Sequence, residues 1–258
     1  MLTRYEFLLR PDKACRPRQE WGYRLYAALL REAPTRFGLE AHGGDVTPIS
    51  QHLKTGGEGP LIWSVALLGQ SAEDVLCGPL EALRELQLEK DGVCFSVEKL
   101  RTERVPDAAS LLAAATEHSG THPLLFRTST AFKSRGQYLN LPTARLIIQS
   151  LMKKWNGCIS ECPIDDEDGE GMEAIAAGLR CRSFQITDQR FYLKGNSVPG
   201  FTGRITLENR LSGFHRQLAD ALLLFSEYAG VGIKTTLGMG GVQRLRQDPP
   251  QEAVRKIR

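Results

Sequence analysis

LSGFHRQLADALLLFSEYAGVGIKTTLGMGGV, residues 211–242, sets a helix signature, a glycine-rich stretch and a short apolar run in direct succession. Leu211, Phe214, Leu218, Leu222 and Phe225 recur at three- and four-residue spacing, which lays them on one face of an α-helix. The thirteen residues from Gly230 to Val242 then carry five glycines beside one lysine, Lys234, and lead into an expected last strand. Upstream, Leu124–Lys133 is rich in β-forming residues. Ala144, Ile147, Ile148, Leu151, Met152 and Trp155 follow at helical spacing behind Pro142. Arg182–Leu193 and Phe201–Leu207 read as a hairpin pair. The order is β-α-β-β-α-β.

The first half repeats it. Tyr5, Phe7 and Leu9 alternate within RYEFLLR, as in a half-buried strand, and Trp21, Leu25, Ala28 and Leu29 return at helical spacing. Val46–Ser50 and Leu61–Leu68 read as strands across a Gly-rich connection. Leu80, Leu83 and Leu86 suggest a second helix with Pro79 at its first position, and Val93, Phe95 and Val97 alternate again. The fold class expected is α+β, with two tandem ferredoxin-like (RRM-like, βαββαβ) domains at 1–114 and 115–258. The boundary falls in VPDAASLLAAATEHSGTHP, residues 105–123.

Bulk properties narrow the function classes. A net charge of +3 is compatible with an anionic partner without announcing one. No segment reaches the eighteen or more apolar residues of a membrane span, and the arginine-bearing N-terminus lacks a signal-peptide pattern. The six cysteines are scattered, and Cys158-x-x-x-Cys162 has no second pair to complete a zinc site. A reduced, cytoplasmic protein with no cofactor and no metal is expected. The acidic run Asp165–Glu170 reads as a solvated loop.

The glycine stretch fits neither familiar phosphate motif. Ile233 separates Gly232 from Lys234, which breaks a Walker A loop, and Gly238, Gly240 and Gly241 follow a helix where a dinucleotide fingerprint opens one. Glycines still allow backbone N–H groups close to an anion, with Lys234 adding a charge and Thr235 a hydroxyl. A surface turn is the alternative.

GVGIKTTLGMGG behind a helix and near the chain end resembles the glycine-rich signature of the CRISPR-associated RAMP proteins, in particular the endoribonuclease family that cuts precursor CRISPR RNA. FRTSTAFKSRGQYLNLPTARLIIQSLMKKWN, residues 126–156, is similar to that family's strand, Lys-Ser-x-Gly-x-Tyr turn and following helix. HGGDVTPISQHL, residues 42–53, is a looser match. The resemblance implies metal-independent cleavage of CRISPR repeat RNA. The 2′-hydroxyl attacks the adjacent phosphate and leaves a 2′,3′-cyclic phosphate and a 5′-hydroxyl. The partners implied are precursor crRNA and other Cas effector-complex subunits, with the chain a monomer or homodimer; a non-catalytic RAMP subunit is the alternative.

Such chemistry needs a base, an acid and a cation for the phosphorane. By the resemblance His42 takes the catalytic histidine position. His52 is either a second acid/base or a loop histidine without a role. Tyr26, and Tyr23 beside it, match a helix where relatives supply a tyrosine, though tyrosines there also pack cores. Lys54 is either a phosphorane partner or a solvated charge. For RNA contacts the candidates are Lys133, Arg135 and Gln137, with Gly230, Gly232, Lys234, Thr235, Gly238, Gly240 and Gly241. Trp155 reads as core, His118 and His122 as linker, and His215 as structural. Without an RNP1 aromatic pattern, stacking of bases on a sheet face is not expected.

Overall fold

Tyr5, Phe7 and Leu9 alternate along β1 (Leu2–Pro11) and are sealed beneath α1 (Trp21–Glu32) and α2 (Gln70–Ala82). The computed structural model describes residues 1–32, 46–54 and 60–245. The first sheet adds β2 (Ile49–Lys54), β3 (Leu61–Leu68), β4 (Glu85–Leu88) and β5 (Val93–Val105), in the order β2-β3-β1-β5-β4 with every pairing antiparallel. Trp63, Val65, Leu67 and Phe95 complete this core, and each such side chain contributes about 1.5–3 kcal/mol when fully buried.

The second unit begins with α3 (Ala108–Thr116) and β6 (Thr121–Thr130), then a hairpin of β7 (Phe132–Ser134) and β8 (Gln137–Leu139). It continues through α4 (Ala144–Cys158), α5 (Glu170–Gly178) and β9 (Leu179–Asp188). A second hairpin, β10 (Phe191–Leu193) and β11 (Asn196–Val198), leads to β12 (Phe201–Asn209), α6 (Gly213–Ala229) and β13 (Val242–Arg244). Its sheet runs β13-β6-β12-β9. In both units the first strand lies between the third and the last, which is the ferredoxin-like arrangement. No helix among the described residues is long and apolar enough to cross a membrane.

Several expectations change. The Leu80/Leu83/Leu86 helix is replaced by α2, which starts at Gln70 and holds Pro79 inside it. Leu83 caps it, and Leu86 and Leu88 alternate with exposed Glu85 and Gln87 in β4, so a period of two lay behind the three-residue spacing. β2 begins at Ile49 instead of Val46, which puts His52 and Lys54 on a strand. Residues 105–123 are largely regular: α3 fills them and packs Ala108, Leu111 and Ala115 into the second core. Position 114 lies inside this helix. HSGTH is the turn into β6, where His122 is fully buried with Nε2 2.6 Å from Asp220 Oδ1 of α6. Its ring stacks on His118 with centroids 4.0 Å apart, and His118, His122 and Asp220 each bring one ligand atom within 4.8 Å of the others. Phe214, expected on the apolar face, is 65% exposed in the first turn of α6.

β1 is buried on both faces, not one. Leu2, Ala66 and Leu68 join the second core, and Arg4 reaches Glu227 at 3.6 Å and sits 5.4 Å over the ring of Tyr228, both on α6. The glycine loop closes the joint. Gln51 Nε2 donates to Gly22 O (2.7 Å) and Thr236 O (2.9 Å), while its Oε1 accepts from Trp63 Nε1 (2.8 Å). Gly241 lies against the His52 ring, and Gly22 against Gly238.

Two alanine substitutions separate helix propensity from this contact. At Gly22 an added Cβ would stand 2.9 Å from Gly238 Cα and 3.1 Å from Leu237 O, whereas at Gly78, in α2, nothing beyond its own chain neighbours lies within 4 Å. Gly78→Ala is expected to change stability by less than about 1 kcal/mol, because the gain in helix propensity is opposed by the new Cβ meeting the Pro79 ring that follows. Gly22→Ala is expected to destabilise by about 1–3 kcal/mol through overpacking. Urea denaturation of both variants gives the signs; stabilisation by Gly22→Ala would show that the two backbones are not in contact.

Candidate nucleic-acid interface

Between the units lies a cleft of about 880 Å³. Val46, Thr47 and Leu68 of the first unit form one side. The β7–β8 hairpin, the polar face of α4 and the loop Gly232–Thr236 form the rest. Thr143 caps α4 by accepting from the Leu146 amide at 3.2 Å. That fixes the helix with Ile147, Ile148, Leu151 and Trp155 inward and Arg145, Gln149 and Lys153 facing the cleft. Six cations line it: Lys133, Arg135, Arg145, Lys153, Lys154 and Lys234. None of the described residues that line it is acidic. One of the six, Arg145, pairs with Glu173 at 2.6 Å just outside. With a net charge of only +3 over the chain, positive charge is concentrated in the cleft, and its chemistry suits a polyanion.

Of the expected RNA contacts, Lys133, Arg135, Gly232, Lys234 and Thr235 come together in the cleft; Gln137, Gly230, Gly238, Gly240 and Gly241 do not line it. The glycine amides are not turned toward a ligand. Gly230 N donates to Ser226 O (2.9 Å) and Gly240 N to Ser129 O (3.0 Å). Gly232 N donates to Ser150 Oγ (2.8 Å) and Gly241 N to Thr128 Oγ1 (2.9 Å). These glycines serve close packing; Gly232 and Gly240 hold φ of 82° and 68° with their Cα atoms against the carbonyls of Ala131 and Val231. What the loop offers an anion is Lys234, at φ 56°, and the start of the 3₁₀ turn Thr235–Leu237.

Lys154 was not singled out from the sequence. Its Nζ donates to Ala229 O (3.1 Å) and Gly230 O (3.0 Å) at the C-terminus of α6, and burial lowers its pKa to about 7. Arg145 and Lys153 were missed as well. Their signal is the four-residue spacing of Arg145, Gln149 and Lys153, the polar counterpart of the apolar stripe.

Of the expected catalytic residues, Tyr26, His52 and Lys54 do not line the cleft. His42 lies outside the described residues. Tyr26 is core, its hydroxyl pKa raised by burial. Lys54 pairs with Glu6, whose carboxyl is held below its ordinary value by Lys54, Arg101 and Arg4 although burial opposes this. His52 is corrected from a loop residue to one 6% exposed in β2. Burial, with Lys54 and Arg4 nearby, lowers its pKa to about 3, and its Nε2 is buried without a hydrogen-bond partner. It stays neutral when folded and protonates near 6.5 when unfolded, so the unfolded state binds more protons between those values. Its contribution is full above pH 6.5 and is lost as pH falls. Native stability is expected to drop on going from pH 7 to pH 5, and His52→Gln to lose about 2 kcal/mol less over that interval. Denaturant melts at the two pH values test this; equal losses would place His52 in water.

Residues 124–242, which hold β6, the cleft-lining hairpin and helix, and the glycine loop, match the family model of the CRISPR-associated endoribonuclease Cas6. A CRISPR-associated endoribonuclease Cas6 of Streptococcus thermophilus is 28% identical over 228 residues, 88% of this chain and 92% of that one. One of Mycobacterium tuberculosis is 28% identical over 239 residues, 91% of this chain and 75% of that one. Among solved structures, a Cas6 product complex superposes with a TM-score of 0.76 at 25% identity, covering 95% of this chain and 100% of that one. A Thermus thermophilus Cas6 reaches 0.64 at 22% identity, covering 95% and 99%. Family model, relatives along nearly the whole chain and fold agree with the motifs in the chain's similarity to the Cas6 RAMP proteins.

Proposed function

We propose that this protein is an endoribonuclease that cuts CRISPR repeat RNA in precursor transcripts to release guide crRNAs. The observation that carries it is the cleft, where, among the described residues, six basic side chains and no acidic one line a groove walled by both units. Such a surface binds phosphate backbone and the shape of a folded RNA without reading bases. The similar proteins named as Cas6 endoribonucleases, and the similar product complex, support cleavage as the outcome of that binding.

The finer mechanism is transesterification without a metal. The 2′-hydroxyl at the cut attacks the adjacent phosphorus, the 5′-oxygen leaves, and the products are a 2′,3′-cyclic phosphate and a 5′-hydroxyl. Lysine and arginine side chains of the cleft offset the charge that builds on the phosphorane oxygens. His42 moves the proton in this proposal, since the other candidate, His52, is sealed between the units, and Val46, four residues on from His42, lines the cleft. The second reading, a binding-only RAMP subunit, rests on the fact that no histidine is among the described residues lining the cleft.

Single-turnover cleavage of candidate repeat RNA distinguishes the two. The expected result is cutting that persists in EDTA, is slowed about 10²–10⁴-fold in His42→Ala and is unchanged in kind in His52→Gln. A repeat with 2′-deoxy at the cut should bind and stay intact. Full activity in His42→Ala removes that residue from the mechanism, and binding without any cutting by the native chain selects the second reading. Affinity is tested apart from chemistry: Lys234→Ala should weaken repeat binding and reduce the slope of log K against log salt by about one. An unchanged slope would mean that Lys234 touches no phosphate.

A further inference from the structure

A buried lysine without a carboxylate stands in the wall of the cleft. Lys154, on α4, is 8% exposed and is one of the residues that line the cleft. Its Nζ donates to the carbonyls of Ala229 (3.1 Å) and Gly230 (3.0 Å), where α6 ends and the glycine loop begins. One turn earlier on the same helix, Ser150 Oγ accepts from Gly232 N (2.8 Å). Two side chains on one face of α4 therefore hold the loop on either side of Val231, just ahead of Lys234.

A buried charge is normally accompanied by an opposite one, because burial alone favours the neutral form. Among the described residues no such partner stands beside Lys154. Cys158, one turn on along α4, is held as the thiol by burial, which pushes it up to about 12. On α6, Glu227 turns to Arg4 (3.6 Å) and to the amide of Arg244 (2.9 Å), and burial raises the Tyr228 hydroxyl. The other charged groups lining the cleft, Lys133, Arg135, Arg145, Lys153 and Lys234, are cations.

Counting hydrogen bonds leads to the same place. A neutral amine has two N–H groups, which the two carbonyls use, and a lone pair left over. An ammonium has three N–H groups, and its third has no protein acceptor among the described residues. In either form the unused position belongs to a residue that lines the cleft. As a lone pair it repels an anion, and as an N–H it binds one. Burial lowers the pKa of this group to about 7, so both forms are present near neutral pH although the carbonyls at the end of α6 favour the charged one.

Resting on the RNA reading above, we propose that Lys154 is a phosphate-binding residue whose protonation is part of RNA binding. As a phosphate enters the cleft, the amine takes up a proton from solvent and gives its third N–H to a phosphate oxygen. The other two N–H groups keep the carbonyls of Ala229 and Gly230, so the loop stays in place.

The test uses repeat RNA with 2′-deoxy at the cut, which separates binding from cleavage. Calorimetry at pH 8 in two buffers of different ionisation enthalpy gives the protons taken up for each RNA bound. The native chain is expected to take up most of one proton, and its affinity at constant salt to fall by up to about tenfold per pH unit above pH 7. Lys154→Met keeps the buried stem without the amine and should bind more weakly, with no proton uptake and a flat profile from pH 7 to pH 9. Lys154→Arg carries a charge fixed throughout this range and should take up no proton either. Native binding without proton uptake overturns the role of Lys154 and leaves the cleft reading standing. Uptake of native size in either variant overturns it as well, because another group then titrates. Failure of the native chain to bind the RNA at pH 7 or pH 8 overturns the RNA reading itself.

Discussion

Backbone pressed on backbone at Gly22 and Gly238, with Gln51 bonded to both chains beside it, is the contact on which the cleft depends. It joins the start of α1 to the 3₁₀ turn that carries Lys234–Thr236, and so fixes one wall of the cleft relative to the other. Only a residue without a Cβ permits this approach, and Gly241 repeats the device against the His52 ring. The glycines that a sequence suggests as a phosphate cradle are therefore the joint between units. The anion-facing groups are the few residues the joint holds out.

This division of labour explains the basic residues with positive φ. An l-residue in the left-handed region costs roughly 1–2 kcal/mol, and the surroundings must over-determine it. At Arg135 and Lys194 the two-residue turns impose it; at Lys234 the loop does, with Ile233 N bonded to Ala131 O (2.9 Å) and Met239 N to Lys234 O (3.3 Å). Asparagine or glycine would sit in these turns at less cost. A long cation at all three is difficult to account for by folding and easy to account for by a polyanionic partner.

Much of the fold was legible because each unit obeys its own periods. Tyr5, Phe7 and Leu9 announce a strand, and Leu218, Leu222 and Phe225 a helix, whatever lies beyond. Errors arose where a pattern served two masters. Leu80 belongs to α2 and Leu86 to β4, and their spacing happens to suit one helix. Burial between units left no local mark: β1, half-buried by its pattern, is covered on both faces, and His52 is sealed by a glycine almost two hundred residues away. At the site, cations next to turn glycines could be read directly, whereas Arg145 and Lys153 sit on a helix whose dominant pattern is its apolar stripe, and nothing local marks their face as a cleft wall.

His52 and Lys154 show how the joint treats ionisable groups. Both are buried in the seam, and burial drives both toward their neutral forms, yet they are handled differently. His52 has no acceptor for its Nε2 and lies among Lys54 and Arg4, so it is silenced. Lys154 finds two carbonyls at the C-terminus of α6, where the helix dipole favours a cation, and it keeps a pKa near the neutral range while lining the cleft. One of those carbonyls belongs to Gly230, the first residue of the glycine loop. Lys154 thus fastens the end of α6 to the start of the loop whose close packing forms the cleft.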